Sequence, residues 1–128
     1  MSNNQKFFIC NTCGNLVESI NNSGIEMVCC GDAMREITAN TVEASLEKHI
    51  PVAQVEGNLV TITTGSVLHP MLEEHHIIWV SIQTTNGSQR KALAVDADPV
   101  VTFALTPGDQ LVAAYAYCNL HGLWKIEL

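Results

Sequence analysis

Two groups of potential metal ligands stand out in this sequence, and they differ in chemistry. The first group contains only cysteines and lies near the N-terminus: Cys10, Cys13, Cys29 and Cys30. The second group is mostly imidazole with a single thiol and is spread over the rest of the chain: His49, His69, His75, His76, Cys118 and His121. Thiolates select zinc or iron, whereas several imidazoles with one thiolate suit a transition metal with an open position for chemistry. The sequence therefore predicts two metal sites of different character.

The four N-terminal cysteines have the spacing of a tetrahedral tetrathiolate site. Cys10-Asn-Thr-Cys13 forms a tight turn from which two sulfurs can chelate one ion, and Cys29-Cys30 supplies the other two. Because the second pair is adjacent, unlike the second C-x-x-C of a zinc ribbon, we expect a distorted tetrahedron. A disulfide between adjacent cysteines would be strained and is the poorer alternative. The spacing alone leaves structural zinc and iron both open.

The histidines gain significance from their joint placement. A lone histidine is often an ordinary core or loop residue. Here His49, His69 and His121 lie near Pro or Gly in predicted loops, where a scaffold of strands can bring side chains to one point. Cys118-x-x-His121 supplies two ligands from one turn. His75 and His76 are alternatives for one further ligand. Neighbouring side chains of a strand face opposite sides, so only one of the two can reach the metal.

The elements that position these residues are predicted to be short β-strands. Near the N-terminus we expect three, bounded by turn residues: Phe7 to Cys10, Leu16 to Ile20 and Glu26 to Cys29. A connector from Asp32 to Asn40 leads to a single helical turn over Thr41 to Leu46, capped by Thr41. Pro51 ends any helix.

Seven further strands are expected, separated by turn sequences such as Gly57-Asn58 and Asn86-Gly87. Their predicted bounds are Val52 to Glu56, Leu59 to Thr64, Ile77 to Gln83, Gln89 to Val95, Val100 to Leu105, Gln110 to Tyr117 and Leu123 to Leu128. Seven short strands at intervals of about 8 to 12 residues are typical of an antiparallel sandwich of immunoglobulin type.

Composition narrows the class of protein. With 128 residues, 47% of them hydrophobic, the chain can bury one sizeable core beside a small metal-stapled domain. Thirteen acidic against six basic residues give a net charge of −7, which disfavours a nucleic-acid partner. We expect neither a signal peptide nor a membrane span. Five cysteines, an odd number, fit metal ligands in a reducing cytoplasm better than disulfides.

These motifs resemble the desulfoferrodoxins, the two-iron class of superoxide reductase. The matching stretches occur in the family's order over nearly the whole chain: Cys10-x-x-Cys13, Cys29-Cys30, Glu47-Lys48-His49, His69-Pro-Met, Glu74-His75 and Cys118-Asn-x-His121-Gly. The resemblance implies an all-β chain with a desulforedoxin-like Fe(Cys)4 domain at residues 1–37. It implies an immunoglobulin-like catalytic β-sandwich at residues 38–128.

The resemblance also implies residue roles. The catalytic iron would have four equatorial histidines, His49, His69, His75 and His121, and Cys118 as axial ligand. The motif register favours His75, and His76 stands where an aromatic residue is expected, so His76 is interpreted as a rim or surface residue.

Two charged residues beside the first ligand are the candidate catalytic side chains. Lys48 would guide superoxide to the open position and polarise the species bound there, because it adds a mobile positive charge beside a cationic site. Glu47 would occupy the vacant position of Fe³⁺ after the product leaves. The implied reaction reduces superoxide to hydrogen peroxide by one electron. The implied partners are rubredoxin, or a similar small donor, and a second copy of the chain in a homodimer.

Two other classes of function compete with this reading. A zinc-stapled binding module would use the cysteines structurally and leave the histidines incidental. An iron electron carrier would keep both metals coordinatively saturated. Colour separates the first from an iron protein, and binding of azide or cyanide tests the second.

Overall fold

The computed structural model describes residues 5–42, 44 and 46–128, which form two compact units built mainly of β-strands. One unit ends at Thr38 and the other begins at Ala39. Each unit has its own sheets. In the described part of the chain, no helix is long and apolar enough to cross a membrane.

The N-terminal unit contains a three-stranded antiparallel sheet and a small hairpin. The strands are β1 (Lys6–Ile9), β2 (Leu16–Ser19), β3 (Val28–Cys29), β4 (Asp32–Ala33) and β5 (Arg35–Ile37). The sheet has the order β2-β1-β5, and β3 pairs with β4. Phe7 in the central strand is buried and supplies the apolar centre of this sheet.

Two tight turns carry the four cysteines. In the first, the Cys10 N–H donates to the Asn15 carbonyl at 2.9 Å, and the Gly14 N–H donates to the Cys10 carbonyl at 2.9 Å. In the second, Cys30 and Gly31 have φ values of 55° and 79° and join β3 to β4 as a two-residue loop. Two successive residues with positive φ are the signature of a type I′ hairpin. Cys29 therefore lies in a strand and Cys30 in a turn, which lets adjacent residues serve one site.

The C-terminal unit is a β-sandwich with one short helix, α1 (Leu46–His49). Its strands are β6 (Pro51–Glu56), β7 (Leu59–Thr64), β8 (Ile77–Thr84), β9 (Gly87–Ala92), β10 (Val100–Ala104), β11 (Leu111–Cys118) and β12 (Gly122–Glu127). One sheet has the order β10-β7-β6 and the other β12-β11-β8-β9, with antiparallel neighbours in both. This architecture confirms the predicted all-β sandwich.

The apolar core lies between these two sheets. It follows the alternation of the strands, since residues such as Val60, Ile62 and Phe103 point inward while their neighbours are more exposed. The central strands β8 and β11 contribute further buried residues to this core, among them Val80 and Ile82 of β8. Packing in the core holds the ends of the strands in place, and the loops that carry the candidate ligands begin at these ends.

Two predictions about local structure were wrong. The connector predicted over Asp32 to Asn40 contains β4 and β5, because these short strands form by pairing with β3 and β1 rather than through their own propensity. The helix lies at Leu46–His49, and the described residues Thr41, Val42 and Ala44 of the predicted helix are not helical. Its turn closes where the Ile50 N–H donates to the Leu46 carbonyl at 3.0 Å. Positions 43 and 45 of the predicted helix lie outside the described residues.

Candidate metal centres

The structure brings the four N-terminal sulfurs together. The Sγ atoms of Cys10, Cys13, Cys29 and Cys30 all lie within 4.8 Å of one another. The Sγ atoms of Cys13 and Cys29 are 3.7 Å apart. Metal–sulfur bonds of about 2.3 Å in a tetrahedron place two sulfurs about 3.8 Å apart, so this edge already has the dimension of a tetrathiolate centre.

Electrostatics in this group favour binding of a cation. The pKa of Cys10 is lowered to about 6, mainly because the Cys13 N–H donates a hydrogen bond to the Cys10 sulfur at 3.5 Å. Hydrogen bonds with the sulfurs of Cys13, Cys10 and Cys29 raise the pKa of Cys30 to about 12. A cation bound among the four sulfurs would favour ionisation of the remaining thiols.

The second group is a square of four imidazoles in the sandwich unit. Neighbouring rings meet nearly at right angles: His49–His69 at 4.5 Å and 81°, His69–His75 at 4.6 Å and 80°, His75–His121 at 5.0 Å and 78°, and His121–His49 at 4.9 Å and 85°. The opposite pair His49 and His75 is 6.0 Å apart and nearly parallel, at 30°. The four rings therefore surround a common centre.

The ring nitrogens of this square face one another. His49 Nε2 lies 3.1 Å from His69 Nε2 and 3.1 Å from His121 Nδ1. Metal–nitrogen bonds of about 2.1 Å at right angles place two nitrogens about 3.0 Å apart, which is close to these separations. The sulfur of Cys118 lies 3.9 Å from His121 Nδ1, and the donor atoms of His49, His75, Cys118 and His121 are mutually within 4.8 Å.

The candidate ligands come from α1, from the end of one strand and from two connecting segments. His49 closes α1 immediately before β6, and Cys118 is the last residue of β11. Cys118 pairs with Gly122 across the β11–β12 turn, and His121 lies in that turn. The Gly122 φ of 78° suits a glycine. His69 and His75 lie in the segment between β7 and β8.

Burial prepares these groups to bind a metal. Burial lowers the pKa of His69 to about 4, and it also lowers the pKa of His75, so both rings are neutral at neutral pH and can act as metal ligands. His69 Nδ1 lies 2.7 Å from the Pro70 carbonyl, a contact that leaves Nε2 for the square. Burial raises the pKa of the Cys118 thiol although the N–H groups of His121 and Leu120 oppose it. A thiolate at Cys118 therefore needs a cation beside it.

The structure separates His75 from His76. His75 completes the square, and its Nε2 is buried without a hydrogen-bond partner in the part of the chain that the structure describes. His76 directs Nδ1 to the Leu72 carbonyl at 2.9 Å instead. A buried imidazole nitrogen that lacks a partner is costly unless a ligand occupies it.

Lys48 and Glu47 adjoin the square through α1. Lys48 is partly buried, and its positive charge contributes to the lowered pKa of His75, although burial is the larger cause. Glu47 is exposed, and its carbonyl accepts hydrogen bonds from the Val67 N–H at 2.9 Å and the Ser66 hydroxyl at 3.3 Å. The loop after β7 therefore holds the backbone of Glu47, next to Lys48.

Comparison with known proteins identifies the family. The family model described as desulfoferrodoxin matches residues 41–127, and the model described as desulfoferrodoxin, N-terminal domain matches residues 2–37. The chain belongs to the desulfoferrodoxin family. The desulfoferrodoxin of Nitratidesulfovibrio vulgaris is 39% identical over 127 residues, and the match covers 99% of each chain. A desulfoferrodoxin homolog of Archaeoglobus fulgidus is 38% identical over 125 residues, covering 98% of each chain.

A solved structure supports the same relationship. The crystal structure of the superoxide reductase from Treponema pallidum has a TM-score of 0.82 and 43% sequence identity, and it matches 97% of this chain and 99% of its own. The resemblance seen in the sequence motifs is thereby confirmed. The tetrathiolate group and the group of histidines with one cysteine fit the two iron centres of desulfoferrodoxins.

Two residues around the histidine square, Trp124 and Asn119, were not predicted as site residues. The Trp124 indole N–H donates to the His121 carbonyl at 3.1 Å, and its buried ring lies 4.9 Å from the His49 ring. Asn119 bonds to the backbone on both sides of His75. Their positions next to Cys118 and His121 in the sequence were the available signal, but only the folded structure shows what they contact.

Proposed function

We propose that this desulfoferrodoxin is a superoxide reductase, an enzyme that reduces superoxide to hydrogen peroxide with one external electron. The observation that carries the proposal is the square of four perpendicular imidazoles with the Cys118 thiol beside it. The relative from Treponema pallidum is itself described as a superoxide reductase.

The proposed ligand set divides into two centres. Cys10, Cys13, Cys29 and Cys30 would hold one iron, and His49, His69, His75, His121 and Cys118 would hold the other. We assign residues 1–37 to the tetrathiolate domain and residues 38–128 to the catalytic sandwich. The bounds of the two family matches and the division into compact units after Thr38 support this assignment.

Neutral imidazoles with one thiolate make the catalytic site suited to a small anion. Iron held by these residues would supply the one electron that reduces superoxide, and uptake of two protons would complete hydrogen peroxide. Four neutral ligands and one thiolate leave a net positive charge, which attracts an anion despite the protein's net charge of −7.

Lys48 and Glu47 have complementary roles in the proposal. The Lys48 ammonium group adds positive charge beside the square, draws superoxide in and donates a hydrogen bond to the bound anion. The exposed Glu47 carboxylate would bind the oxidised metal after hydrogen peroxide has left. Both side chains depend on the α1 backbone for their placement.

Donor, assembly and location complete the proposal. Each turnover consumes one electron, so a small redox protein such as rubredoxin would return it. The assembly would be a homodimer in the cytoplasm. The five cysteines are free thiols, which agrees with a reducing compartment.

A pair of cysteine variants tests the function. Reduced, iron-loaded protein is mixed with superoxide generated by pulse radiolysis, and superoxide decay is followed directly. We expect rapid decay with wild type and Cys13→Ser, because the tetrathiolate centre has no open position. Cys118→Ser should lose the fast reaction while it keeps the tetrathiolate spectrum. Wild-type protein that fails to react, or Cys118→Ser that reacts as fast as wild type, would contradict the proposal.

A further inference from the structure

The side chain of Asn119 joins two segments that carry proposed metal ligands. Its Oδ1 accepts a hydrogen bond from the His76 N–H at 2.9 Å, and its Nδ2 donates to the Glu74 carbonyl at 3.1 Å. These two backbone groups lie on either side of His75. The Asn119 backbone N–H also donates to the His76 carbonyl at 3.1 Å. Asn119 follows Cys118 directly, so three hydrogen bonds link the His75 segment to the Cys118–His121 turn.

The His75 segment also has hydrogen bonds within itself, and two residues after His75 the chain enters β8, where Ile77 pairs with Cys118. Leu72 and His75 exchange backbone hydrogen bonds of 2.9 and 3.1 Å, and His76 Nδ1 adds a third contact to the Leu72 carbonyl. These bonds define the shape of the turn. They do not fix its distance from Cys118, because all of them lie within residues 72–76.

We propose that Asn119 is a positioning residue that locks His75 into the imidazole square, so that its Nε2 is held in place for the metal. This inference rests on the proposed ligand role of His75 and adds a residue to which no role has been assigned. The planar amide is suited to the task because it presents a donor and an acceptor side by side. The amide N–H group faces the carbonyl of residue 74 and the amide oxygen faces the N–H of residue 76. A neighbouring β-strand would offer the same pair of a donor and an acceptor.

The strength of the effect follows from the behaviour of residues that orient metal ligands. Loss of such a partner typically costs about 10- to 100-fold in metal affinity or activity. Alanine at position 119 removes both side-chain bonds. Aspartate keeps the oxygen that accepts from the His76 N–H, but it replaces the N–H donor with an oxygen that cannot bond to the Glu74 carbonyl. The contributions of the two hydrogen bonds can therefore be measured separately.

The experiment compares iron release from oxidised holoprotein into excess chelator. We expect Asn119→Ala to release the histidine-bound iron about 10- to 100-fold faster than wild type while the tetrathiolate iron leaves at the wild-type rate. Asn58→Ala is the matched control, since Asn58 Nδ2 bonds the Leu105 carbonyl at 3.2 Å in the same unit, away from the square. The control should lose some stability but keep wild-type iron release. If the alanine variant of Asn119 does not fold, Asn119→Ser provides the same comparison.

Hydrogen exchange supplies a readout independent of turnover. In holoprotein, the peptide spanning residues 72–80 should exchange faster in Asn119→Ala, because the His76 amide loses its acceptor. In Asn119→Asp that amide should stay protected. Wild-type release and exchange in Asn119→Ala, or equal acceleration of release by Asn58→Ala, would overturn the inference. Wild-type protein that binds iron yet fails to reduce superoxide would instead refute the proposed function and leave the role of Asn119 intact.

Discussion

Alanine at position 65 would press on the backbone that carries Glu47 and Lys48. Gly65 has a φ of 87°, and a Cβ there would lie 2.7 Å from the Lys48 carbonyl oxygen and 2.8 Å from that of Glu47. It would lie closer still to the Val67 carbonyl oxygen. Ordinary contact begins at 3.4 Å, so the α1 backbone must yield by about 0.6 to 0.7 Å. The predicted result is a displaced Lys48 as well as a less stable protein.

The size of the effect separates into two parts. A left-handed conformation costs a non-glycine residue about 1–2 kcal/mol. Overpacking against backbone adds about 1–3 kcal/mol. Gly108 shares the φ of 87° and would meet nothing within 4 Å, so Gly108→Ala pays only the first cost. We therefore expect Gly65→Ala to be less stable than Gly108→Ala by about 1–3 kcal/mol.

The two alanine variants are compared in denaturant unfolding and in reaction with superoxide. Small misplacements of a catalytic group can cost up to about 100-fold in rate, and we expect a loss of roughly ten-fold for Gly65→Ala. Gly108→Ala should react at the wild-type rate. Equal stability of the two variants, together with a wild-type rate in both, would refute the role of Gly65 in placing Lys48.

Three further predictions address charge, ligation and pH. Lys48→Ile should slow the encounter with superoxide roughly ten-fold at low salt and should weaken or reverse the salt dependence; a variant that matches wild type at every ionic strength would remove Lys48 from steering. His75→Ala should abolish binding of the catalytic iron and His76→Ala should not, as measured by metal analysis, whereas the opposite pattern would exchange their roles. For Asp109, partial burial raises the pKa, but hydrogen bonds from Thr85, Thr84 and two backbone N–H groups outweigh it and lower the pKa. The stabilisation by Asp109 is therefore present above the ordinary carboxyl pKa of 3.8 and is lost as the pH falls through the lower folded value. Asp109→Asn should lower the unfolding midpoint at pH 7 and converge with wild type in acid, and a difference independent of pH would contradict this assignment.

The sequence predicted the parts of the molecule that local chemistry determines. The turn Gly57-Asn58 separates β6 from β7 as predicted, and the cysteine and histidine motifs identified both groups of candidate ligands. The turn predicted at Asn86-Gly87 lies one residue earlier, because Gly87 already pairs with Thr84 as the first residue of β9. The short strand β5 escaped prediction because it forms by pairing with β1, which is distant in sequence, and β4 escaped it because only two residues pair with β3. The helix was misplaced toward Thr41, since the loop after β7 holds the backbone at Glu47 through bonds that no local pattern records.

The finer arrangement of the site could not be predicted for the same reason. Asn119 stands in a recognisable motif, but its two side-chain bonds reach residues more than 40 positions away. Gly65 is one of eight glycines, and only the folded chain shows that a Cβ there would meet the backbone of Lys48. Contacts between distant segments therefore determine how the predicted ligands are held.

The yield of hydrogen peroxide tests the central claim most directly. Reduced, iron-loaded protein is exposed to a measured amount of superoxide in the absence of any other catalyst, and peroxide, molecular oxygen and oxidised iron are quantified together. A reductase forms one hydrogen peroxide for each superoxide consumed, oxidises one catalytic iron and releases no oxygen. One hydrogen peroxide and one oxygen for every two superoxides, with the iron still reduced, would identify a dismutase and contradict the account.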